Sequence, residues 1–150
     1  MKTPSKFAVG LFALGAIAAL TACKSHERRI WFGNLKNGQE VESPFKVEMK
    51  QENLIVEPAA KGVTEGHGHF HIIINSPMPP ATSPIPKDPM HIHYGQGDTE
   101  TTMILPVGEY DLLLQFAKGD HVPYNPQITS EVIHIRVVKQ NTPDTTKASR

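Results

Sequence analysis

Five of the eight histidines lie between Gly66 and Gly97: His67, His69 and His71 in GHGHFHIIIN, and His91 and His93 in HIHYGQG. Imidazole is a ligand for zinc, copper, nickel and iron. Alternate residues of a β-strand share a face, so each set would present its rings on one side. A proline-rich loop, SPMPPATSPIPKDPM, joins the two runs and suggests two strands returning side by side. If His71 pairs with His91, antiparallel geometry also sets His69 against His93. Directly opposed Cβ atoms stand about 4.5–5.5 Å apart, and metal–nitrogen bonds of about 2.0–2.1 Å from each side can span that gap. His121, in the rigid connector HVPYNP, could swing over the same patch. The expected metal ligands are therefore His69, His71 and His93, with His91, His121 and His67 as further candidates. Met78, Met90 and Met103 supply thioethers, which favour copper over zinc as the ion. The competing reading has no ion: the chain is a structural or protein-interaction module, in which the histidines only hydrogen-bond their neighbours and fix the proline loop. His26 and His134, away from both runs, are read as incidental.

Other chemistry is thin. Thr99 and Glu100 could line a groove beside the histidines, or simply lead a polar turn into a strand. Gly95 and Gly97 do not make a phosphate loop, because no helix, third glycine or lysine follows. No side chain is assigned a catalytic role. Ser76, Ser83 and Ser130 have no activating context in the sequence. A histidine-bound metal with an open position could hydrolyse or oxidise a substrate, with Glu65 or Glu100 as base, but a non-catalytic role is the simpler expectation.

The elements that must position these residues are strands. Phe45, Val47 and Met49 alternate with charged residues in the run Val41–Lys50, and Tyr110, Leu112, Leu114 and Phe116 alternate in Glu109–Phe116. In His67–Asn75 the set Phe70, Ile72 and Ile74 should face the core, leaving His69, His71 and Ile73 towards solvent, a groove or the sheet edge. Six prolines between Ser76 and Pro89 exclude a helix or a central strand there. Further runs at Ile30–Leu35, His91–Tyr94, Thr99–Leu105 and Ile128–Val138 bring the count to about seven strands with a turn every ten residues or so, and the short run Asn53–Glu57 could pair locally. The expectation is all-β: a single immunoglobulin-like β-sandwich over residues 30–138.

The chain has 150 residues, 39% hydrophobic and 20% charged, with zero formal net charge. One core is affordable at this size, and without a basic stripe nucleic-acid binding has no support. The first residues read as an export signal: Lys2 and Lys6, then the apolar run FAVGLFALGAIAAL, too short for a comfortable membrane span. Leu20-Thr21-Ala22-Cys23 looks like a bacterial lipobox, with the only cysteine of the chain as the lipidated residue. Residues 1–22 are thus expected to be a lipoprotein signal peptide, 23–29 a lipidated tether and 139–150 a disordered tail. The membrane, reached through the lipid, is the expected partner. The location would be the periplasm-facing cell envelope, the outer membrane rather than the inner because Lys24 and not aspartate follows the cysteine. No protein partner is identifiable.

Several ordered motifs resemble a bacterial family of secreted domains of unknown function, number 4399. They are SPFKV, GHFHIIIN, HIHYGQGDTE, LPVGEYDLLLQF, and GDHVPYNP followed by SEVIHIRV, together covering roughly Arg29–Val138. The resemblance implies a secreted β domain and carries over His69, His71, His93 and His121 as the family's histidine positions. Asn75 stands where similar proteins tend to have aspartate, and His67 and His91 are additions to the pattern. It implies no activity.

Overall fold

Short alternating runs punctuated by glycine and proline form ten strands within residues 26–140, the part of the chain that the computed structural model describes. They are β1 (Arg29–Phe32), β2 (Gln39–Glu42), β3 (Phe45–Glu52), β4 (Ile55–Val56), β5 (His67–Ile74), β6 (His91–Tyr94), β7 (Glu100–Met103), β8 (Gly108–Ala117), β9 (Pro123–Thr129) and β10 (Ile133–Val138). A three-residue 3-10 turn, Ala59–Lys61, lies between β4 and β5.

Two sheets result. One has the order β1-β3-β7; the other runs β2-β10-β8-β5-β4, with β6 added to β5 and β9 to β8. The inward residues Ile30, Val47, Met49 and Met103 of the first meet Phe70, Ile72, Leu112, Leu114, Phe116, Ile135 and Val137 of the second in one buried cluster. Each fully buried large side chain contributes about 1.5–3 kcal/mol. Phe70 and Phe116 meet edge to face at 5.3 Å, a geometry that suits the ring quadrupoles. Tyr110, near the start of β8, packs against this cluster and donates its hydroxyl to the Pro106 carbonyl at 3.0 Å. A tyrosine bonding back to the backbone a few residues upstream is a hallmark of immunoglobulin-like sandwiches.

The expected count of about seven strands is too low, for three local reasons. The run Val41–Lys50 is broken at Ser43-Pro44: β2 pairs in parallel with β10, whereas β3 lies in the other sheet. The supposed connector HVPYNP is largely strand β9, antiparallel to β8. That strand also takes the start of the run Ile128–Val138, the rest of which is β10, and the short run Asn53–Glu57 holds a strand of its own, β4. Arg29, placed in the tether, already belongs to β1 and pairs with Glu52. The signal peptide, Cys23 and most of the expected tail lie outside the described residues.

The outer face of the larger sheet is covered, not open to water. The proline loop folds back over it, and Ile85 joins Ile73, Leu113 and Ala117 in a second apolar cluster. The Pro79 carbonyl accepts from Gln127 Nε2 at 2.9 Å and from Gln115 Nε2 at 3.5 Å, and Ile85 N–H donates to the His121 carbonyl at 3.0 Å. These contacts turn a polyproline segment into a lid over β5 and β8.

Candidate metal centre

The histidine face of β5 lies beneath that lid. His69 is fully buried and His71 is 2% exposed, so of the three expected settings (solvent, a groove or the sheet edge) open solvent is excluded. Cross-strand register explains the packing. His71 stands between Gln115 of β8 and His93 of β6. On β8 the neighbour of His69 is the small Ala117, and on the other side the register runs on from Tyr94 to Gly95. A Cβ at Gly95 would fall 2.1 Å from His93 Cε1, so the missing side chain is what lets the His93 ring lie there. The expected register was displaced by two residues. His93, not His91, faces His71, and His91 faces Ile73.

His121 arrives from the turn between β8 and β9. Its N–H donates to the Lys118 carbonyl at 2.9 Å, and its φ is +64°. A non-glycine residue in that region carries about 1–2 kcal/mol of strain. Strain of this kind tends to collect at functional positions. Here it carries the ring back over the sheet to 3.1 Å from His69 Nε2, measured at His121 Nδ1.

His69, His71, His93 and His121 each offer a ring nitrogen, and the four nitrogens lie within 4.8 Å of one another. His71 Nε2 and His69 Nε2 are 3.0 Å apart. Four nitrogens around a tetrahedral ion with bonds of about 2.0–2.1 Å would be about 3.3–3.4 Å apart. His69 Nε2 therefore touches two other ring nitrogens. A ring nitrogen holds either one proton or one in-plane lone pair, so it cannot donate to one neighbour while accepting from the other. A cation at the centre would be able to take the lone pairs together. His69 Nδ1 and His71 Nδ1 are buried without a hydrogen-bond partner. Metal-bound histidines usually anchor the second nitrogen on an acceptor. Here packing against Gln115, Ala117 and the lid fixes the rings instead.

Burial, reinforced by repulsion from the neighbouring rings, lowers the His71 pKa to about 2 and that of His69 to about 4. Burial, then His121 and Lys87, lowers that of the more exposed His93. At neutral pH the two deepest rings are thus neutral, the form in which imidazole binds metal.

The other expected residues are elsewhere. His67 Nδ1 lies 3.1 Å from Glu57 Oε1. His91 Nδ1 contacts Asp88 Oδ1 at 2.8 Å, and its Nε2 lies 3.5 Å from Ser76 Oγ. Thr99 and Glu100 form no groove with the histidines. Glu100 begins β7 in the opposite sheet and pairs with Lys46 at 2.8 Å. Met103 is buried in the core between the sheets, and Met78 and Met90 are exposed. None of the three lines the pocket above the imidazoles. His134 makes a surface pair with Asp111 at 2.9 Å. Gly95, Ala117, Gln115 and Lys87, which shape the site, carry no signal in the sequence.

An all-β sandwich with four imidazoles converging on the covered face of one sheet is the class these observations define. The chain belongs to the family described as Domain of unknown function (DUF4399), which matches residues 47–138 and so includes all four clustered histidines. No curated protein matches it. Among solved structures, an endo-beta-1,4-mannanase from Thermotoga petrophila is similar at 14% identity with a TM-score of 0.46. The similarity covers 80% of this chain but only 22% of that enzyme.

Proposed function

We propose that this domain is a non-catalytic transition-metal-binding module that holds copper or zinc through His69, His71, His93 and His121. The convergence of four ring nitrogens within 4.8 Å carries the reading. The donor set is imidazole alone, which suits both zinc and copper(II). The methionines give no reason to prefer copper(I). A purely structural role for the histidines would be to hold the proline loop. That loop is already held by Ile85, Gln115, Gln127 and the backbone carbonyl of His121, none of which uses a histidine ring. The location proposed is the bacterial cell envelope, on a lipid at Cys23, as the LTAC sequence suggests.

Metal content of the untagged, chelator-free protein by mass spectrometry, followed by copper and zinc titration, tests the site. Near-stoichiometric uptake that is lost in a His69→Ala/His93→Ala protein with intact fold is the expected result. Uptake that is weak and indifferent to those changes would leave the histidines structural. Fractionation tests the anchor: Cys23→Ala should leave the membrane or accumulate as precursor, and acylated, membrane-bound Cys23→Ala would refute it.

A further inference from the structure

The lid leaves a pocket of about 120 Å³ directly above the cluster. Three of the four imidazoles, His71, His93 and His121, form one wall, and the loop residues Pro84–Lys87 form the other. His69 does not line it, so the space lies on the side of the cluster away from His69. Sites for organic ligands run to about 300–1,000 Å³. This one has room for only a few atoms, and its proline-built wall resists expansion.

Charge decides what those atoms are. Four neutral imidazoles around a divalent ion leave both positive charges uncompensated, two of the rings being buried. A buried, unpaired charge is costly. No carboxylate lines the pocket among the described residues; Lys87 does, adding a further positive charge.

We propose that the pocket receives a small inorganic anion of two to four atoms as an added ligand on the metal, with Lys87 as its counter-ion. The proposal rests on the metal reading above. The ion supplies one positive partner and Lys87 the second, while Pro84, Ile85 and Pro86 set the size limit.

Azide is the probe, added to protein whose copper(II) content has first been fixed by mass spectrometry. Saturable growth of an azide-to-copper charge-transfer band, at one azide per copper, is expected. Lys87 is exposed, so Lys87→Ala should keep its copper yet bind azide roughly twofold to fivefold more weakly. Lys87→Glu should weaken binding further, and the difference should shrink at high salt as screening grows. Benzoate should not compete. Copper-loaded protein with no azide band overturns the proposal, as does equal azide affinity in the Lys87 variants or competition by benzoate. A protein that takes up zinc but no copper keeps the metal reading, and cobalt(II), whose visible spectrum also reports azide, then replaces copper in the same test; a protein that takes up no metal fails at the earlier measurement, and both readings then fall.

Discussion

Across the β5–β6 pair His71 faces His93, their ring centroids 5.0 Å apart. His93 is equally close to His69, at 4.9 Å, and closer still to His121, at 4.7 Å. One exposed ring from a four-residue strand thus touches the three others. His91, two residues earlier and on the same side of β6, touches none of them, because its opposite number is Ile73.

That contrast separates ligands from bystanders. His71→Ala or His121→Ala should weaken metal binding by about a hundredfold or more, beyond the 10–100-fold usual for losing a group that only supports a ligand. His67→Ala and His91→Ala should bind within about threefold of the parent. Calorimetric titration of the four variants checks both halves. Equal losses across all four would mean that the ion does not sit where the nitrogens converge.

Acid should destabilise the metal-free fold. His71 and His69 titrate at about 2 and about 4 when folded, but near 6.5 when unfolded. Below about pH 6.5 the unfolded chain binds more protons, so stability is full above that value and falls as pH drops towards the folded values. At about 1.4 kcal/mol per unit for each group, the two together remove roughly 4 kcal/mol between about pH 7.5 and about pH 5. Urea melts at those two pH values measure this. A midpoint that does not move would show that the buried rings accept protons without unfolding.

Gly95→Ala places a methyl group where the His93 ring now lies. Because His93 is exposed, its ring can swing aside, and stability should change by less than about 1 kcal/mol. Metal affinity should nevertheless drop about tenfold or more, as a ligand has been displaced. Comparing the thermal midpoint of the metal-free variant with its metal titration distinguishes a lost ligand from a lost fold. A variant that binds metal normally would place His93 outside the site.

Ile85→Ala removes the apolar anchor of the lid, a residue 6% exposed against Ile73, Leu113 and Ala117. A loss of about 2 kcal/mol is expected, at the low end for such deletions because the loop can partly collapse. Limited proteolysis should then cut between Ser76 and Pro89 faster than anywhere else in the domain. Unchanged cleavage of that segment would show that the lid is held by Pro79 and its glutamine partners instead.

The strand class and the histidine positions were legible because they depend on local alternation: Phe70, Ile72 and Ile74 read inward, and His69 and His71 read together. Register was not. A two-residue hairpin loop fixes register by its turn type, but a long proline loop leaves it to tertiary packing, and the pairing came out two residues away. Strand β9 was hidden because Pro123 and Pro126 read as breakers. They are tolerated there because β9 pairs with β8 alone, leaving its other edge free of a ladder. Burial of the histidine face was hidden for the same reason as the lid. Ile85 amid prolines looks like a spacer until Leu113 and Ala117 stand beneath it.

Arg28 lies over the Tyr124 ring at 5.5 Å and pairs with Glu65. The Tyr124 hydroxyl in turn donates to the His67 carbonyl at 2.7 Å. The chain therefore enters the sandwich at the end where β5 begins, one alternate residue before His69. Cys23 is five residues upstream of Arg28, a reach of roughly 18 Å at full extension. If that cysteine carries lipid, the leash is short. The start of β5 would then be held close to the headgroups, and an ion leaving or reaching the site would pass through the layer of water next to the bilayer.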